Sequence, residues 1–153
     1  MSDGSSRERE LVNTLERVGY AAMRCPSSGS ATPRNLPDVL AGIEHWDGKP
    51  ALGVPVSRAL AIELKSGSST TLYVAAEEVA ALKSFADRFG ATPLLGARFT
   101  SQSSPVKIYG VRPPDARKTD EGNYGLPESD IQDRATVVWT PPVGDREPAE
   151  AWV

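Results

Sequence analysis

Apolar residues near the start of the chain recur at helical spacing: Leu11, Val12, Leu15 and Val18 fall on one stripe of a 3.6-residue period, and Gly19 stands where such a helix would stop. Ser5-Ser6-Arg7-Glu8 opens this helix, and Glu8, three and four residues before Leu11 and Val12, lies on the same stripe. The period returns from Ala76 to Phe89, with Val79, Leu82, Phe85, Ala86 and Phe89 inward and Gly90 as the stop. Elsewhere short apolar runs predict strands. Residues 20–25 form the first, and Pro37-Asp38-Val39-Leu40-Ala41 the second, with proline at the strand's entrance, where a missing N–H does no harm. In the run from Leu60 to Lys65, alternation puts Leu60, Ile62 and Leu64 on one face and Glu63 and Lys65 on the other. Residues 92–99 and 106–111 read as two more strands. The order helix, three strands, helix, two strands predicts an α/β fold, a mixed sheet flanked by helices.

Beyond residue 112 the pattern weakens. Residues 113–153 are acidic and proline-rich, with Thr136-Val137-Val138-Trp139 as a short apolar run. Residues 1–112 are therefore expected to form the folded domain, and residues 113–153 an extension that is partly mobile or docks through Trp139 and Trp152. At 153 residues the chain suits one α/β domain with a sizeable core. No stretch approaches the roughly 20 apolar residues needed to span a bilayer, and the polar N-terminus shows no signal-peptide pattern. The single cysteine, Cys25, permits no internal disulfide and suits a reducing compartment, which predicts a cytoplasmic protein. His45, the only histidine, lies in the long connection 44–58 and reads as solvent-facing.

Glu63-Leu64-Lys65 sets a carboxylate and an ammonium two residues apart on an otherwise apolar strand, where each is costly to desolvate without a partner. An ordinary salt bridge would satisfy them, and so would a metal ion and a phosphate. Asp38, at the entrance of the second strand, reads either as a turn residue or as a second carboxylate brought beside Glu63. Glu8 likewise has two readings: Ser5-x-x-Glu8 fits a capping box, whereas its place on the inward stripe would aim a third carboxylate at the sheet edge. Such an oxygen-rich set suits Mg²⁺ or Mn²⁺ and would not select Zn²⁺. The loop 26–35, rich in Ser, Gly and Pro, offers hydroxyl and N–H donors, and Arg24 and Arg34 add guanidinium groups that match phosphate geometry.

Glu8-Arg9-Glu10-Leu11-Val12, then Arg24-Cys25-Pro26-Ser27-Ser28-Gly29-Ser30, Pro37-Asp38, Ile62-Glu63-Leu64-Lys65-Ser66, Tyr73-Val74 and Leu95-Gly96 together resemble the archaeal Holliday-junction resolvases, structure-selective endonucleases of the PD-(D/E)xK superfamily. The resemblance covers the first hundred residues. It implies a restriction-endonuclease-like mixed sheet in a nuclease domain of residues 1–112, with Glu8, Asp38 and Glu63 as metal-binding carboxylates and Lys65 positioning or activating the attacking water. It further implies that Ser28 takes part in cleavage, that Arg24, Ser28, Ser30 and Arg34 contact DNA, and that hydrolysis leaves a 5′-phosphate and a 3′-hydroxyl. The connection 44–58 is longer than that family usually has.

The implied substrate is a four-way DNA junction, whose two-fold symmetry calls for a homodimer. A net charge of −3 looks adverse to DNA binding, but residues 1–112 hold 13 Lys and Arg against 11 Asp and Glu, while residues 113–153 hold 4 against 9. Three acids of the first group are the expected metal ligands, so metal makes the DNA-facing part more basic. Two alternatives stay open: a related nuclease acting on flaps, mismatches or duplex sites, and a non-catalytic DNA-binding module. The acidic tail is also a candidate contact for a replication or recombination protein.

Overall fold

The structure, a computed structural model, describes residues 3–26, 36–44, 58–101 and 105–142. Helix α1 (Asp3–Arg17) stops at Gly19, whose φ of 107° is open to glycine. There the Tyr20 N–H donates to the Leu15 carbonyl at 3.0 Å and the Gly19 N–H to the Glu16 carbonyl at 3.1 Å, so two orphan carbonyls are satisfied. Because the helix starts at Asp3, Ser5 lies inside it and not at its cap, which removes the capping-box reading of Glu8. Leu11 and Leu15 are fully buried, while Val18, expected on the inward stripe, falls past the helix end and is exposed.

The strands are β1 (Ala21–Arg24), β2 (Val39–Gly42), β3 (Ala59–Gly67) and β4 (Thr71–Val74), followed by helix α2 (Ala76–Phe89). Then come β5 (Thr92–Phe99), β6 (Ile108–Val111), β7 (Arg117–Lys118), β8 (Tyr124–Pro127), the short helix α3 (Ile131–Arg134) and β9 (Val137–Trp139). The mixed sheet with flanking helices is as the hydrophobic pattern predicts. The predicted order lacked β4, however: its alternation, with Leu72 and Val74 inward and Tyr73 outward, spans only four residues, and its partner β8 comes some fifty residues later.

Six strands form the main sheet in the order β1-β2-β3-β5-β6-β9, and β4, β8 and β7 form a smaller one. Only β3 and β5 run parallel, joined through β4 and α2; the other neighbours of the main sheet are antiparallel. Alternation sorts the core into two layers. Leu60, Ile62, Leu64 and Leu94 pack under α1 against Leu11 and Leu15, while Ala61, Leu95, Ala97 and Phe99 pack under α2 against Val79, Leu82 and Ala86. Phe89, also expected inward, is exposed and stacks on Phe85 with ring centroids 5.5 Å apart.

Residues beyond 113 supply β7, β8, α3 and β9. Trp139, an expected docking residue, is buried on β9 opposite Ile108, whereas Trp152 lies outside the described residues. Gly110 makes this docking possible: a Cβ there would stand 2.7 Å from Val137 Cγ2 and 3.2 Å from the Trp139 ring. Among the described residues no helix is long and apolar enough to cross a membrane.

Candidate active site

The site begins where β2 ends. The register of β2 with β3 stops at Val39 opposite Ile62, so β3 runs on from Leu64 with no strand across from it on that side. Asp38, the residue before β2, bridges the gap. Its N–H donates to the Ile62 carbonyl at 3.0 Å, and its carboxylate Oδ2 accepts the Leu64 N–H at 2.8 Å. Pro37, just upstream, is buried and restrains the chain's approach. This geometry sets the Asp38 carboxylate against Glu63, with which it shares a side-chain hydrogen bond.

Two half-buried carboxylates in contact cannot both carry charge cheaply. Burial, then the Asp38 charge, then the Glu78 charge push the Glu63 carboxyl up to about 8, against a smaller opposing pull from Lys65. Asp38 is also raised, chiefly by burial and further by Glu8, although the Leu64 N–H and Lys65 hold it down. At neutral pH the pair therefore keeps one proton between them, titrating as a unit. Cys25 sits alongside, its N–H on the Asp38 carbonyl at 2.9 Å, and burial followed by the Asp38 and Glu8 charges raises its thiol, which leaves it unreactive.

Lys65 lies two residues along β3 on the Glu63 face, where its Nζ donates to Glu78 Oε2 at 3.1 Å. Glu78 belongs to the first turn of α2, and its other oxygen accepts the Ala75 N–H at 3.1 Å, since alanine has no side-chain acceptor for the helix start. A second free N–H, that of Ala76, donates to Asn123 Oδ1 at 3.1 Å, so a residue from beyond 113 steadies the helix that holds Lys65. Neither Glu78 nor Asn123 was predicted. The available signal for Glu78 was an acid at the third position of a helix lacking a capping residue.

On the opposite side, α1 carries Glu8, which accepts from Arg24 Nε at 3.3 Å. Two residues on, within the same helical turn, Glu10 takes both Nε and a terminal nitrogen of the buried Arg98, at 2.5 and 3.3 Å. Among the described residues no three His, Cys, Asp or Glu side chains converge as a ready cation cage. Asp38 and Glu63 come together, and Glu8 stands nearby with its carboxylate on Arg24. Ser28, Ser30 and Arg34 lie outside the described residues, as does His45. The donor set of the pair nonetheless fits a divalent cation: hard oxygens, largely withdrawn from water, sharing a proton that a doubly charged ion would displace.

A paired carboxylate with a lysine two residues along the same strand, where β3 runs on past the end of β2, can hold a cation beside a fixed ammonium, which is what phosphodiester hydrolysis asks of a site. Comparison with known proteins agrees. The family described as archaeal Holliday junction resolvase (Hjc) matches residues 1–136, a range that runs through β8 and α3. The chain is 32% identical over 128 residues to the crossover junction endodeoxyribonuclease Hjc of Archaeoglobus fulgidus, covering 84% of this chain and 81% of that protein. It is 30% identical over 122 residues to the protein of the same name from Sulfolobus acidocaldarius, covering 79% and 73%. The solved structure of Archaeoglobus fulgidus Hjc, a Holliday junction resolvase from an archaeal hyperthermophile, matches with a TM-score of 0.66 at 27% identity, over 86% of this chain and 93% of that one. This chain belongs to the archaeal Holliday junction resolvase family.

Proposed function

We propose that the protein resolves four-way DNA junctions by hydrolysing paired phosphodiesters, with Asp38 and Glu63 holding Mg²⁺, or Mn²⁺ in its place. The observation that carries this reading is the Asp38–Glu63 pair with Lys65 beside it, in a chain of this family. The cation supplies positive charge against the scissile phosphate and acidifies water. The protein's own groups do the rest. Asp38, braced by the Leu64 N–H, and Glu63 would hold the cation, giving up their shared proton to do so. Lys65 orients the attacking water by donating to it, with Glu78 fixing where its ammonium stands. Arg24, oriented by Glu8, engages backbone phosphate, and Glu8 would serve the cation site from its outer side, a role supported by the effect of its charge on Asp38.

A single site per chain cuts one strand at a time, so symmetric resolution calls for a homodimer with two sites, acting on DNA in the cytoplasm at the nucleoid. Recognition would read the junction's shape and backbone more than its bases. The test is cleavage of a mobile four-way junction and a sequence-matched linear duplex, with Mg²⁺ or with EDTA, by the native protein and by Asp38→Asn. Metal-dependent paired nicks on the junction, absent in the variant, are expected. Equal cutting of both substrates would instead mean a nuclease without junction preference, and no cleavage with any divalent metal would mean a binding module.

A further inference from the structure

The open edge of β3 continues past the carboxylate pair into a cleft of ≈ 450 Å³ whose walls include Arg7, Lys65, Ser66, Ser68 and Thr100. Strand alternation decides what the backbone offers there. The Ile62 carbonyl and the Leu64 N–H both bond Asp38, whereas the Gly67 carbonyl accepts the Thr100 N–H on the β5 side. The peptide groups of Ser66, in step with 62 and 64, therefore turn to the open edge, beyond the last residue of β3 that β2 covers. Arg7 stands across the cleft on α1. Nearby cations are each held by a carboxylate: Arg24 by Glu8, Lys65 by Glu78 and Arg98 by Glu10. Among the described residues Arg7 has no such partner.

A guanidinium without a carboxylate, facing an edge peptide N–H and small hydroxyls, matches the charge and the several acceptor oxygens of a phosphodiester. We infer that this cleft holds a backbone phosphate of the DNA strand adjacent to the scissile one, with Arg7 making the principal contact; the inference rests on the junction-cleaving reading and extends it. Arg7 thus fixes the strand on the far side of Lys65 from Arg24, so that the scissile phosphate is gripped from two sides.

Binding of a labelled four-way junction by the full chain in EDTA, over a series of salt concentrations, tests this. Arg7→Ala should weaken affinity about tenfold and lower the slope of log affinity against log salt by roughly 0.9, the contribution of one phosphate contact. Arg7→Lys should keep the slope, and Ser68→Asp, which puts a negative charge in the cleft, should weaken binding as Arg7→Ala does. In cleavage with Mg²⁺, single neutral methylphosphonates walked along the strand should reveal one position beside the scissile bond that slows the native protein but slows Arg7→Ala no further. Native affinity, slope and methylphosphonate profile in Arg7→Ala, with junction cleavage intact, would overturn the cleft alone. A native protein that neither binds nor cuts the junction would overturn the underlying reading as well.

Discussion

Lys65 Nζ and Glu78 Oε2 meet at 3.1 Å, so the amine beside the carboxylate pair is held by a residue whose other oxygen closes the start of α2. Helix start and lysine position are thereby coupled through one side chain. Glu78→Gln keeps an acceptor for the Ala75 N–H but removes the charge facing Lys65. Its unfolding midpoint should stay within about 2 °C of native and its junction affinity should be unchanged, while kcat falls about tenfold, the usual scale for a group that supports a catalytic one. Glu78→Ala should in addition lose about 1 kcal/mol of stability with the cap. A native kcat in Glu78→Gln would remove the supporting role.

Without metal, the raised carboxyl of Glu63 makes stability depend on pH in a defined sense. In the unfolded chain Glu63 ionises near its ordinary 4.5, whereas in the fold it holds its proton to about 8. The fold binds the extra proton throughout that window, so this contribution is fully present below 4.5 and is lost as pH rises through 8. The melting temperature in EDTA should fall between pH 5 and pH 8, by on the order of 5–10 °C. Added Mg²⁺ should raise it more at pH 8 than at pH 5, because the cation replaces the proton. Glu63→Gln should flatten both trends, and a midpoint that rises steadily to pH 8 in EDTA would contradict the shared-proton pair.

Asp38→Asn and Glu63→Gln each remove a carboxylate from the proposed cation site while leaving its shape. Cleavage should drop by about 10²-fold or more in either, and junction affinity in EDTA should survive. Gel-shift binding beside single-turnover cleavage separates the two effects. Full cleavage by either variant would dismiss the assigned centre.

Gly110 and β9 test how far residues beyond 113 belong to the folded unit. A Cβ at 110 meets Val137 Cγ2 at 2.7 Å, so Gly110→Ala should displace β9 and cost about 1–3 kcal/mol, read as a fall in melting temperature. Truncation after Arg112 should be worse. It uncovers Ile108 and removes β8 from β4 and Asn123 from the start of α2, and loss of cooperative unfolding is expected. A truncated chain that melts like the full one would show the C-terminal strands to be dispensable.

Much of this protein was legible in local pattern because periodicity is local. The span of α2, its stop at Gly90, the span of β5 and the division of β3 into a Leu60-Ile62-Leu64 face and a Glu63-Lys65 face all follow from residues within one turn or one strand. The resemblance carried by Pro37-Asp38 and Glu63-Leu64-Lys65 singled out the pair that the fold brings together. The chain of residues could not say which strands become neighbours, since pairing depends on contacts distant in sequence. β4 went unseen until β8 lay beside it, and Trp139 could be assigned to the sheet only once Gly110 let it approach. Glu8 shows the limit most plainly: its place on the helical stripe was readable, but its bond to Arg24, sixteen residues on, arises only when α1 packs on β1. Glu78 and Arg7 are ordinary surface charges by sequence. Tertiary packing set one against Lys65 and left the other open on a strand edge, because a charge's role depends on the partner that folding places within reach.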